Sequence, residues 1–94
     1  MPYQFEWDAE KAAANLRKHG VTFDEAVTAF NDSLSVLLSD PDHSATEVRY
    51  LVMGTSIRGR LLVVAFVERR PRTRIISARL ATKRERHDYE ESQG

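Results

Sequence analysis

The sequence predicts an α+β fold: two N-terminal helices packed on a four-stranded, mainly antiparallel sheet, with a short C-terminal helix. Three observations predict it. Two segments of helical periodicity come first, four strand-like segments follow with hairpin-length connections, and a helix-start signal closes the chain. Ninety-four residues make one domain, 1–94, because a chain this short has no room for a second core.

Asp8 can cap a first helix that runs through an alanine-rich stretch to His19, with Gly20 placed to end it at positive φ. At 100° per residue Ala9, Ala12, Ala13 and Leu16 form the expected buried side. Lys11, Asn15 and Lys18 form a stripe expected to face away from the core, with His19 on its border. Thr22 with Glu25 reads as a capping box, Val21 as its staple to Ala26, and Ala26, Val27 and Phe30 as the buried side of the second helix. Asn31 to Ser33 supply turn chemistry. The expected strands are Leu34 to Ser39, Val48 to Ser56, Arg60 to Glu68 and Thr73 to Leu80, joined by a loop around Pro41, a hairpin at Ile57 to Gly59 and a turn around Pro71. The third strand holds the apolar run Leu61 to Val67, which suits a central position covered on both faces. Thr82 with Glu85 gives a second capping box, opening a helix to about Glu91 in which Tyr89 is the one large apolar side chain.

The composition excludes several functions. With no cysteine there is no disulfide framework, thiol nucleophile or thiolate metal site, and three scattered histidines do not make a zinc site. The longest apolar stretch is far too short to cross a bilayer, so the expectation is a cytoplasmic protein without membrane contact. Net charge is zero, yet residues 1–48 carry −6, residues 49–87 carry +9 and residues 88–94 carry −3. Ten of the eleven basic residues in the middle segment are arginines, whose planar fork suits phosphate oxygens. A local potential of this sign attracts a polyanion whatever the total charge.

Within that segment Arg49, Arg58, Arg60, Arg69, Arg70, Arg72, Arg74 and Arg79 form the candidate nucleic-acid set; each alone is equally explained as a solvated surface charge, Arg70 and Arg72 in their turn most readily so. Arg74 and Arg79 lie five positions apart, so a regular strand sends them to opposite faces, and Arg79, beside Ser77 on the more polar side, is the better candidate. His19 suits proton transfer at neutral pH or serves as a cation closing the helix, and Lys18 has the same two readings. Trp7 reads as an N-terminal anchor, Tyr89 as a packing contact or a hydroxyl near phosphate, and Glu68 as the ion-pair partner of an arginine. There is no Gly-rich phosphate loop, Ser-His-Asp order or carboxylate pair. Arginines, a lysine and a histidine are nevertheless enough for RNA. Its 2′-hydroxyl is a built-in nucleophile, so a protein need only align the phosphate, move two protons and neutralise the oxyanion, with no metal or cofactor. A non-catalytic module binding RNA or a partner through its arginines is the alternative.

The chain carries Phe5-x-Trp7-Asp8-x-x-Lys11-x-x-x-Asn15-x-x-Lys18-His19-Gly20-Val21-x-Phe23-x-Glu25-Ala26, then Arg49-Tyr50, Gly59-Arg60, Arg74-Ile75-Ile76-Ser77-Ala78-Arg79 and Glu85-Arg86-x-x-Tyr89-Glu90. From Phe5 to Glu90 this resembles the BrnT toxins of bacterial type II toxin–antitoxin modules. The resemblance implies a RelE-like fold, inhibition of translation by RNA cleavage, free or on the ribosome, and neutralisation by a BrnA-like ribbon-helix-helix antitoxin through which alone operator DNA is bound. By position Arg79 and Tyr89 resemble the phosphate-stabilising arginine and helix tyrosine of RelE-like sites, while Lys18 and His19 belong to the family's own block. The resulting expectation is Arg79 and Arg49 on the scissile phosphate, His19 or Lys18 in proton transfer, and Arg58, Arg60, Arg74 and Tyr89 holding the RNA, with no metal ligand.

Overall fold

A computed structural model describes residues 4–39 and 47–93. In chain order the elements are β1 (Phe5–Glu6), α1 (Ala9–His19), α2 (Phe23–Ala29), β2 (Val36–Ser39), β3 (Arg49–Thr55), β4 (Leu61–Arg69), β5 (Arg72–Leu80) and α3 (Lys83–Glu91). The sheet has five strands, not four, in the order β1-β5-β4-β3-β2. The added strand, β1, lies parallel to β5, with Phe5 opposite Thr73 and Glu6 opposite Arg74; the other pairings are antiparallel. Two residues have no periodicity to read, and only the neighbouring edge of β5 makes them a strand. The expected loop around Pro41 lies outside the described residues, as does His43.

Strand β4 sets the layering. Its residues Leu61 to Val67 are all buried, so both faces of the sheet need cover. On one face α1 and α2 close a core of Val21, Phe23, Ala26, Ala29, Val52, Leu62, Val64, Phe66, Ile75 and Ala78. Trp7 packs edge-on against Phe23, as an N-terminal anchor should. On the other face a smaller cluster, Met53, Leu61 and Val63, receives Leu51, Ala81 and Tyr89, yet α3 buries no residue of its own there. At Gly54 the α2–sheet contact is so close that a Cβ would sit 2.5 Å from the Ala29 carbonyl oxygen.

Helix starts follow the expected chemistry. The Lys11 N–H donates to Asp8, the Glu25 N–H to Thr22, and Thr82 with Glu85 forms a complete capping box. Gly20, at φ 70°, ends α1. Thr22 and Glu25 make only half a capping box, because the Glu25 side chain is turned elsewhere. The buried face of α1 also differs from the expectation. Leu16, Ala9 and Ala13 are exposed, and Asn15, assigned to the outer stripe, is the buried residue, flanked by half-buried Ala12 and His19.

The reason lies at the edge of β5. Strand β1 covers only Thr73 and Arg74, leaving backbone groups further along without a strand neighbour. The Asn15 carboxamide takes that place: it accepts from the Ala78 N–H (3.0 Å) and donates to the Ala78 (2.8 Å) and Val21 (3.0 Å) carbonyls. An amide side chain thus stands in for a peptide group of a missing strand. Replacing Asn15 with Ala should cost about 3 kcal/mol, near 1 kcal/mol for each bond lost. Asn15→Asp, which loses both donors and faces two carbonyls, should cost at least as much, both read from the midpoint of urea unfolding. Gly54→Ala should lower stability by about 1–3 kcal/mol in the same measurement, since backbone must move to admit the methyl group.

Candidate functional site

A register shift between Ala65 and Phe66 of β4 rearranges the arginines. Val63 pairs with Arg79, Ala65 with Ser77, Phe66 with Ile75 and Val67 with Arg74, so Ile76 has no opposite number. The extra residue cancels the odd spacing. Arg74 and Arg79, expected on opposite faces, therefore both stand on the α3 face, beside Val67 and Val63.

Arg79 and Arg49 do not share a position. Arg49 also pairs with Val67, four residues along β4 from the partner of Arg79, or about 13 Å at the usual strand rise, and Arg49 and Arg79 lie two strands apart. Arg49 and Arg74 instead flank Val67, at the end of the sheet where Arg74 is bound by Glu6 (3.3 Å) and Arg69 by Glu47. Glu68 accepts from the Thr73 hydroxyl rather than pairing with an arginine.

The other end of the sheet gathers the remaining candidates. Asn15 ties α1 to Ala78, next to Arg79, and its last turn carries Lys18 and His19. Arg60 then donates to the carbonyl of Gly20, which follows His19. The Ala81 N–H donates to Leu61, and Thr55, opposite Leu61, lies 3.5 Å from the Tyr89 hydroxyl. Lys18, His19, Arg58, Arg60, Arg79 and Tyr89 thus sit at one end, with Arg79 on the α3 face and Arg60 on the side of α1 and α2.

Two carboxylates hold the arginines there. Glu85 takes the two terminal nitrogens of Arg79 in a fork (2.8 and 2.9 Å) and also accepts from the Thr82 N–H. The bonds from Arg79 bring the Glu85 carboxyl down to about 2, against the opposing effect of burial. Arg79 is raised in turn, chiefly by the same bonds. Glu25, whose side chain is only 4% exposed, accepts from Nε and Nη2 of Arg60 and from the Ser56 hydroxyl (2.7 Å); Arg58 stands 3.7 Å away. Hydrogen bonding from Arg60 is the main reason its carboxyl is lowered, and burial opposes it.

Tyr89 fastens α3. Its hydroxyl donates to Asp32 Oδ2, which also accepts from the Thr55 N–H, while Oδ1 accepts from the Leu34 N–H. Burial raises the Asp32 carboxyl, but these bonds outweigh it and the net shift is downward; Tyr89 is raised, by burial first and then by Asp32. The phenol expected to meet RNA is therefore engaged inside the protein. Among the described residues no three His, Asp or Glu side chains converge as a metal site would require, and no helix is long and apolar enough to cross a membrane.

Glu25 and Asp32 were not singled out from the sequence because each had a sufficient local explanation, a capping box and a turn. The available signal for Glu25 was its helical spacing to Ala29, which puts an acid on the buried face of α2.

Comparison with known proteins gives this architecture a class. Residues 7–85 match the family described as "Ribonuclease toxin, BrnT, of type II toxin-antitoxin system", which places the chain among the ribonuclease toxins of type II toxin–antitoxin systems. Within that class the chain belongs to the BrnT family. Its fold is similar to the 1.1 Å crystal structure of the Brucella abortus ribonuclease toxin BrnT, with a TM-score of 0.65 and 23% identity over 87% of this chain and all of that one. No curated protein matches it.

The Arg79–Glu85 pair has a calculable pH dependence. A carboxyl lowered from 4.5 to about 2 by folding stabilises the protein above its unfolded value, and that contribution fades as pH falls from about 4.5 through about 2. Glu85→Gln lacks it. Thermal midpoints should therefore favour the unaltered protein between pH 5 and 7, with the gap closing as the solution is acidified toward pH 2.

Proposed function

We propose that this protein cleaves RNA without a metal ion, at the end of the sheet where β5 runs into α3. The observation that carries this reading is that Arg79, Arg60, Arg58 and the last turn of α1, with Lys18 and His19, all lie at that end of the sheet, Arg79 on the α3 face and Arg60 on the face of α1 and α2. Arg79 neutralises the charge developing on the scissile phosphate, where each aligned donor contributes about 10²–10³ in rate. His19 or Lys18 moves the proton between the 2′-hydroxyl and the leaving oxygen. Arg60 and Arg58 hold the RNA strand as it passes over the end of the sheet. Arg49 and Arg74, at the opposite end of the same sheet, take phosphates of a longer RNA instead of the one being cut. Tyr89 contributes by keeping α3, and with it Glu85, beside Arg79.

In the cell, RNA cleavage of this kind inhibits translation, on free or ribosome-held message, and a BrnA-like ribbon-helix-helix antitoxin neutralises it. Operator DNA is reached only through that antitoxin, in the cytoplasm. The arginine end belongs to a locally positive segment of a protein whose net charge is zero, and a partner that covers it prevents indiscriminate RNA binding.

One observation favours a second reading. The forks of Arg79 and Arg60 are already occupied by Glu85 and Glu25, as they would be in a module that binds partners without catalysis. Incubation of the purified protein with a defined RNA in excess EDTA separates the two. Cleavage should occur, and Arg79→Ala should reduce it on the order of 10²-fold or more while circular dichroism stays unchanged. Intact RNA with both proteins, free and on translating ribosomes, would favour the binding module, whose affinity should fall steeply with salt.

A further inference from the structure

The hairpin between β3 and β4 is braced from below in a way its own sequence does not require. The Ser56 hydroxyl accepts from the N–H groups of Arg58 (3.2 Å) and Arg60 (3.4 Å) and donates to Glu25. The Ile57 N–H donates to the Thr28 hydroxyl (2.9 Å), and past Gly59 the Arg60 side chain binds Glu25, so both ends of the connection are tied to α2. Gly59, at φ 80°, completes the turn.

Within this brace Arg60 is held on one side only. Its Nε and one Nη2 hydrogen meet the two oxygens of Glu25, and Nη2 also donates to the Gly20 carbonyl (3.1 Å). Three of five donors are thereby used, while among the described residues nothing accepts from Nη1. The side chain is 29% exposed, and since no buried side-chain nitrogen among the described residues lacks a partner, the unpaired Nη1 reaches solvent. Burying a carboxylate costs several kcal/mol unless its partners are good. The local alternative for Glu25 was to complete the capping box with Thr22. Its diversion to Arg60 is what the fold has spent that cost on.

We propose that Glu25 is a positioning residue of the RNA site: its buried carboxylate fixes Arg60 so that the Nη1 edge stands outward to receive a phosphodiester oxygen. This rests on the reading above that this end of the sheet takes RNA. A fork held at one edge loses little freedom when the other edge binds, so the effect falls on substrate affinity more than on the chemical step. Lysine at 60 keeps the charge but can satisfy neither Glu25 in a fork nor phosphate from a defined direction.

The test is a double-mutant cycle on RNA cleavage, with each protein assayed well below its own thermal midpoint. Glu25→Gln and Arg60→Lys should each raise KM about tenfold or more with kcat little changed, and the double variant should be no worse than Arg60→Lys alone. If Glu25→Gln keeps the KM of the unaltered protein while Arg60→Lys loses it, or if the two losses multiply, Glu25 is only a structural group and the proposal falls. If Arg60→Lys and Arg60→Ala both leave KM unchanged, it is the RNA reading of this end that falls, and the proposal with it. Should Glu25→Gln not fold, the unaltered protein supplies the measurement. NMR titration with an RNA carrying a 2′-deoxy cleavage position should shift the Arg60 Nη1 protons and leave the Nε–H resonance in place. An Nε–H that shifts or broadens as the ion pair opens would overturn the assignment.

Discussion

Seven consecutive buried residues in β4 are the constraint from which the rest of the molecule follows. A strand apolar on both sides must be covered on both sides, and the chain has only enough apolar helix for one. Helix α2 meets that need with Phe23, Ala26 and Ala29, and α1 adds half-buried Ala12 and the buried Asn15 amide. Helix α3 has Tyr89 and little else, so its attachment is polar: Tyr89 on Asp32, Glu85 on Arg79, and a capping box at Thr82. These directional bonds place α3, where area burial alone would leave it free to slide.

That mode of attachment couples structure to the site. The arginine proposed to stabilise the phosphate is also the one that holds the last helix, and the carboxylate holding it fixes its direction. The same division recurs on the other side of the sheet, where Glu25 holds Arg60. A guanidinium has five donors in a fixed plane, so it can satisfy an internal carboxylate along one edge and still present hydrogens along another. In a protein with zero net charge, pairing Arg60 with Glu25 and Arg79 with Glu85 also directs the positive potential to their outward edges.

Membership of the BrnT family fits this economy. A toxin domain of 94 residues has few side chains to spare for function alone, and residues that serve packing and chemistry together are the result. Asn15 shows the structural side of it: one amide replaces the strand neighbour that the two-residue β1 is too short to provide.

Much of the fold was legible in the sequence because it rests on local rules. The caps at Asp8, Thr22 and Thr82, the stop at Gly20, the hairpin at Ile57 to Gly59 and the central place of β4 all follow from neighbouring residues and periodicity. The candidate arginines were legible as a set, since charge segregation needs no structure. Their arrangement was not. The extra residue at Ile76 put Arg74 and Arg79 on one face, the long-range pairing of Asn15 with Ala78 turned α1 over, and the pairing of Glu25 with Arg60 undid a capping box that its own neighbours favoured. In each case a backbone or charged group far away in sequence offered a better partner than the local one, and a preference worth about 1 kcal/mol yields when a buried polar group would otherwise go unpaired.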